Sequence, residues 1–187
     1  MNKNKAVFID RDGTIIQDIG YESKWDRKLL IPGSIEAIKL LNEKRFKVII
    51  VTNQAGVAKG YFTEEDVILF HKLMKEYLKS KGAIIDAIYH CPHSPDDSCD
   101  CRKPKPGMLK KAEKEFNIGL SSSYMIGDKK SDIDTGKSAG CKIAILVLTG
   151  HGTRELENNN YNINCDFVAE NLYDAVMSIN SKWIITI

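Results

Sequence analysis

Two carboxylates, Asp10 and Asp12, stand one residue apart at the end of the short apolar run Val7-Phe8-Ile9, and Gly13-Thr14 follows at once. Charged residues at the carboxyl end of a buried strand project into the crevice where open α/β sheets bind ligands. Two carboxylates there can share a cation, and one can attack while the other handles a proton. Asp128, in Gly127-Asp128-Lys129-Lys130-Ser131-Asp132, adds an oxygen donor of the kind magnesium takes together with water and a phosphate oxygen. Thr52-Asn53 offers a hydroxyl and backbone amides to phosphoryl oxygens. Lys103, in Cys101-Arg102-Lys103-Pro104-Lys105-Pro106-Gly107-Met108, supplies a cation that can neutralise phosphate charge. The set suits phosphoryl transfer. A carboxylate and a phosphate dianion repel, so attack requires a cation between them, and an alkoxide leaves readily only with a proton.

A second group of chemistry-bearing residues is denser. Cys91, His93, Cys99 and Cys101 place three thiols and one imidazole within eleven residues. Cys₃His is a closed zinc set, and a closed set is structural rather than catalytic. Disulfides and scattered buried cysteines are the competing readings, and a reducing cytosol weakens the first. Cys141 and Cys165 have no partner nearby in sequence. Of the remaining histidines, His71 is expected on a helix surface and His151 in a loop, while His90 abuts the cluster.

The elements that must position these groups follow from periodicity. Strands are expected at 5–9, 47–51, 83–90, 124–127, 142–148 and 166–168. Helices are expected from Ser34, as N-cap, to about Lys44, from Thr63 to Gly82, from Pro106 to about Phe116, over 131–139 and over 170–179. Residues 14–31 form a connecting loop and 157–164 an Asn-rich linker. Alternating strands and helices predict a Rossmann-like α/β fold, a parallel sheet with helices on both faces, in one domain over 1–187. The carboxyl ends of its strands share one edge, so Asp10, Asp12, Thr52, Asn53 and Asp128 converge. The apolar tail over 183–187 is open to three readings: edge strand, contact surface or packed segment.

These four segments resemble the four motifs of the haloacid dehalogenase superfamily of phosphohydrolases, over Lys5 to about Leu148. The pattern C-P-H…C-D-C-R-K-P-K-P-G-M resembles its zinc-containing branch, in which a zinc loop, here 91–101, stands in for a large cap domain near the active site. The resemblance implies that Asp10 is the nucleophile and forms an aspartyl-phosphate. Asp12 would protonate the leaving alkoxide and then activate water. Mg²⁺ would be held by the Asp10 carboxylate, the Asp12 backbone carbonyl and Asp128, and Thr52 and Lys103 would stabilise the phosphoryl group. Arg11, Asp18, Ile19, Gly20, Tyr21, Asn53, Gln54, Ala55 and Lys129 would line the substrate pocket. Arg102 would read the distal part of the substrate, a task suited to a guanidinium fork. The implied substrate is a sugar phosphate, a heptose 1,7-bisphosphate losing its 7-phosphate, with histidinol phosphate as the alternative.

Bulk composition narrows the rivals. Net charge is +2 over 187 residues, with 43% hydrophobic and 28% charged residues, which gives no general case for nucleic-acid or membrane binding. A zinc-based nucleic-acid module is motivated by the Cys-His loop and Arg102-Lys103-Pro104-Lys105, yet it lacks a basic helix face. A catalytically silent structural protein is hard to reconcile with both Asp10 and Asp12. No apolar leader precedes the first strand, so a cytoplasmic protein, expected to be a monomer, is predicted.

Overall fold

The computed structural model describes residues 3–21 and 23–180; the tail over 183–187 lies outside them. Six strands form one parallel sheet: β1 (Ala6–Ile9), β2 (Lys47–Asn53), β3 (Ala87–Cys91), β4 (Tyr124–Gly127), β5 (Ile143–Val147) and β6 (Phe167–Ala169). Their order is β3-β2-β1-β4-β5-β6. Every residue of β1, β4 and β5 is buried, which explains why these strands read as unbroken apolar runs rather than alternating ones.

Helices cover both faces. On one, α1 (Ser34–Glu43), α2 (Glu64–Ser80) and α6 (Leu172–Asn180) press Ile38, Leu41, Phe70, Met74, Leu78 and Val176 onto Val7, Ile9, Ile50, Ile126 and Ile145. On the other, α3 (Gly107–Glu115) packs Met108, Leu109 and Ala112 onto Phe8, Val51 and Met125. Beside it, α4 (Lys130–Ala139) and α5 (Gly152–Asn158) cover Ala144 and Leu146 through Ile133 and Leu156. The start of α2 is fixed by a reciprocal cap between Thr63 and Asp66.

Local details depart from the sequence reading. The N-cap of α1 is Gly33, at φ +86°, not Ser34. The Ser34 hydroxyl instead donates to the Ile15 carbonyl at 3.0 Å and ties the loop after β1 to α1. β3 starts at Ala87, four residues later than expected, and its last residue is Cys91. The expected linker over 157–164 overlaps α5, which ends at Asn158. His71, expected on a helix surface, is buried.

β1 and β4 are adjacent, and the chain leaves them toward opposite sides of the sheet. That is the topological switch point, where the strand ends open a crevice. Asp10 and Asp128 are the residues that follow these two strands.

Leu78 is fully buried at the far end of α2. Leu78→Ala should lower unfolding free energy by about 2–5 kcal/mol in urea titration, with turnover per folded molecule unchanged.

Candidate active site

The centre of the crevice is crowded with charge. Asp10, Asp128 and Asp132 each present a carboxylate oxygen, and these oxygens all lie within 4.8 Å of one another. All three residues are buried. One cation reaches into the group. The Lys103 ammonium donates to Asp10 Oδ1 at 2.6 Å and to the Val51 carbonyl at 3.0 Å, and forms an ion pair with Asp132 Oδ1 at 2.5 Å. The backbone holds this lysine in place: Lys103 N donates to Asn53 Oδ1 at 3.0 Å, and Asn53 Nδ2 donates to the Lys103 carbonyl at 3.2 Å.

Burial and mutual repulsion move the acidities. Burial pushes the Asp10 carboxyl up to about 6, with Lys103 pulling the other way and Asp132 and Asp12 adding to the rise. Burial and the nearby Asp10 and Asp132 push Asp128 up to about 8. Lys103 pays for its own burial, but Asp10 and Asp132 more than offset it and hold the ammonium firmly protonated.

The same group has the character of a cation site. Asp128 Oδ1 is buried with no hydrogen-bond partner, while Asp128 Oδ2 accepts from His151 N at 2.8 Å. A β-carbon on Gly13, which sits at φ +83°, would collide with the Asp128 carboxylate; glycine is required both for the turn and for the space. Carboxylates with a free oxygen beside an open crevice fit magnesium, which keeps positions for water and phosphate. Sequence reasoning named Asp10 and Asp128 for this role but not Asp132. Asp132 Oδ2 also accepts from Lys129 N at 3.0 Å, capping α4; its place four residues after Asp128 was the available signal.

Asp12 faces elsewhere. Its Oδ2 accepts from Gln54 Nε2 at 2.8 Å and from the Thr52 hydroxyl at 3.2 Å. Arg11 Nη2 donates to its Oδ1 at 2.8 Å, and Arg11 Nε lies 3.1 Å from both oxygens. The hydroxyl expected on a phosphoryl oxygen is thus aimed at Asp12.

A cleft of about 500 Å³ opens over these groups, lined by Asp12, Asp18, Tyr21, Gln54, Arg102 and Lys103 among others. Arg11, Gly20, Asn53, Ala55 and Lys129 also face it, whereas Ile19 does not line it and is more than half exposed. Asp18 accepts from Lys129 Nζ at 3.0 Å and lies 3.1 Å from His151 Nε2, which pins the loop after β1 across the crevice. Burial would raise the Asp18 carboxyl, but Lys129 brings it below its ordinary value. Lys59, which the sequence did not single out, donates to the Tyr21 hydroxyl at 2.6 Å at the rim.

The four residues of the Cys-His loop come together as well. Cys91 Sγ lies 3.1 Å from Cys101 Sγ, 3.7 Å from Cys99 Sγ and 3.5 Å from His93 Nδ1. A tetrahedral zinc with Zn–S near 2.3 Å needs ligand–ligand edges of roughly 3.8 Å, so small outward shifts would seat one. Burial pushes the Cys91 thiol up to about 12, with hydrogen bonding to Cys101 adding to it; three clustered thiols become thiolates only where a cation compensates. Arg102 Nη1 donates to the His93 carbonyl at 3.1 Å and Lys105 Nζ to the Cys99 carbonyl at 2.6 Å, which couples this loop to the segment bearing Lys103.

Comparison with known proteins places this geometry in context. A HAD-hydrolase-like family model matches residues 100–175. A D-glycero-beta-D-manno-heptose-1,7-bisphosphate 7-phosphatase of Pasteurella multocida is 45% identical over 152 residues, covering 78% of this chain and 83% of the relative. The corresponding alpha-specific enzyme of Photorhabdus laumondii is 41% identical over 165 residues, covering 84% and 90%. A solved D,D-heptose 1,7-bisphosphate phosphatase of B. bronchiseptica, complexed with magnesium and phosphate, superposes with a TM-score of 0.85 at 33% identity, covering 94% of this chain and 98% of its own.

The raised pKa values set a pH dependence. Unfolded aspartates titrate near 3.8, so the folded state favours protonated Asp10 and Asp128. That contribution is complete below about pH 4 and is lost as pH rises through about 6 and then about 8. In magnesium-free buffer this contribution to the melting temperature should decline over that window. The stabilisation from added Mg²⁺ should be larger at pH 8 than at pH 5, and Asp128→Asn should shrink the difference in a thermal-shift titration, leaving the part that Asp10 carries.

Proposed function

This chain belongs to the haloacid dehalogenase superfamily of phosphatases, and on that premise we propose that it removes the 7-phosphate of D-glycero-D-manno-heptose 1,7-bisphosphate, giving heptose 1-phosphate and phosphate. The observation that carries the reading is the buried Asp10 carboxylate, paired to Lys103 through one oxygen within a cluster of acids that suits a cation.

Asp10 is the nucleophile. Lys103 holds its Oδ1, which leaves Oδ2 to meet phosphorus, and orients the carboxylate along the crevice. The same ammonium is placed to accept charge from the phosphoryl oxygens as they arrive. Asp10, Asp128 and Asp132, with the backbone carbonyl of Asp12, would hold Mg²⁺, which when bound would neutralise charge between the carboxylate and the phosphate dianion. Asp12, supported by Arg11, Thr52 and Gln54, gives a proton to the sugar oxygen as it leaves. It then takes one from the water that hydrolyses the aspartyl-phosphate. Tyr21, Asn53, Gln54 and Lys129 bound the sugar, and Arg102 meets the distal phosphate, with a fork suited to a phosphate rather than to an imidazole.

The Cys91, His93, Cys99 and Cys101 cluster holds a structural Zn²⁺. Its support is the ligand set and the mutual distances of the four side chains. Through Arg102 and Lys105 it fixes the segment that delivers Lys103 to Asp10.

Phosphate release should be fastest on a heptose 1,7-bisphosphate when both anomers and histidinol phosphate are assayed with Mg²⁺; faster release from histidinol phosphate would overturn the substrate. Asp10→Asn should abolish turnover while leaving the fold, read by circular dichroism, and the zinc content intact. Cys99→Ser should release zinc and lower the melting temperature, measured by metal analysis alongside calorimetry.

A further inference from the structure

Arg11 is almost wholly buried, and each of its three guanidinium nitrogens has a partner. The Nε–Nη2 edge grips the Asp12 carboxylate at 2.8–3.1 Å. Nη1 lies 3.0 Å from Nε2 of His71, and the guanidinium carbon sits 4.5 Å from the centroid of the Phe70 ring. A guanidinium has donors only, so His71 Nε2 must accept and the ring proton resides on Nδ1. Burial, with Arg11 beside it, keeps that imidazole neutral. Phe70 and His71 both belong to α2 and reach Asp12 only through Arg11.

We propose that His71 is a positioning residue for Asp12: it accepts from Arg11 Nη1 over the Phe70 ring, fixes the plane of the guanidinium, and so aims the Arg11 fork at the Asp12 carboxylate. The chain turns directly after β1, with Ile15 N and Ile16 N donating to the Arg11 carbonyl at 2.9 and 3.0 Å, and the turn brings the two side chains within reach of each other. A planar fork has one two-point edge facing Asp12, and its direction is set by what holds the opposite nitrogen. Without an acceptor at position 71, Nη1 is a buried donor with no partner, and the guanidinium turns to find one. The proposal rests on Asp12 acting as general acid and base.

That role has a readout which packing alone does not move. Departure of a sugar alkoxide needs a proton, whereas 4-nitrophenolate leaves without one. The ratio kcat/KM covers every step through departure of the alcohol, so the two esters separate the acid from the rest of the site. The experiment measures kcat/KM for heptose 1,7-bisphosphate and for 4-nitrophenyl phosphate, with Mg²⁺, on the full chain and on Asp12→Asn, His71→Leu and His71→Gln. Asp12→Asn should lose about 10²-fold or more on the sugar ester and far less on the aryl ester. His71→Leu should lose roughly tenfold on the sugar ester and stay within about twofold on the aryl ester, while His71→Gln, whose amide oxygen can accept, recovers most of the loss. Equal losses on both esters, or Gln behaving as Leu, would overturn the role of His71. If Asp12→Asn shows no difference between esters, the acid–base assignment fails and takes the proposal with it. If circular dichroism shows that His71→Leu does not fold, Arg11→Lys, which keeps the charge but not the fork, must show the same ester-selective loss; equal losses there contradict the proposal.

Discussion

Three buried carboxylates crowd around one buried ammonium, and their charges do not balance. Asp10, Asp128 and Asp132 lie within a few ångströms of each other at the end of β1 and the start of α4, with Lys103 as the cation among them. Buried like charges persist only when a proton or a further cation compensates them. Burial and mutual repulsion weaken Asp10 and Asp128 as acids, so that each holds its proton to higher pH. The glycine at position 13 and the unpartnered oxygen of Asp128 belong to the same constraint, since each keeps space beside a carboxylate that a packed core would fill. A site built this way attracts a divalent ion and the phosphate that comes with it.

Topology turns that constraint into a single place. β1 and β4 are neighbours in space but are separated by more than a hundred residues in sequence, and only a parallel sheet with this strand order brings Asp10 beside Asp128. Lys103 arrives from a third direction, on a segment clamped at two points by Asn53 and anchored to the Cys-His loop through Arg102 and Lys105. The loop at the end of β3 thus helps set where Lys103 meets Asp10.

The features legible in the sequence were those fixed by local pattern. Unbroken apolar runs marked the buried strands. The D-x-D-G-T turn marked the crevice, and the Cys-His spacing marked a cluster that does assemble. Features that depend on a distant neighbour were not legible. Asp132 reads as an acid in the first turn of a helix until β1 is known to lie alongside. His71 was misjudged by polarity, although its spacing from Val67 and Met74, four residues on one side and three on the other, places it on the buried stripe of α2. The carboxylate of Asp12 is turned by Arg11, Thr52 and Gln54, contacts that no spacing rule anticipates. α5 is only seven residues long with one leucine, Leu156, too short for a periodic apolar stripe to show.

The central claim is that Asp10 carries the phosphoryl group between substrate and water. Tryptic cleavage after Lys5 and Arg11 isolates Asp10 in the hexapeptide Ala6–Arg11, which makes a direct trap available. Enzyme turning over substrate is quenched in acid, reduced with borohydride, digested and analysed by mass spectrometry. An acyl phosphate at Asp10 predicts that this peptide alone carries a primary alcohol in place of its carboxylic acid. An unmodified Ala6–Arg11 peptide, with the reduced residue found elsewhere in the chain, would contradict the account.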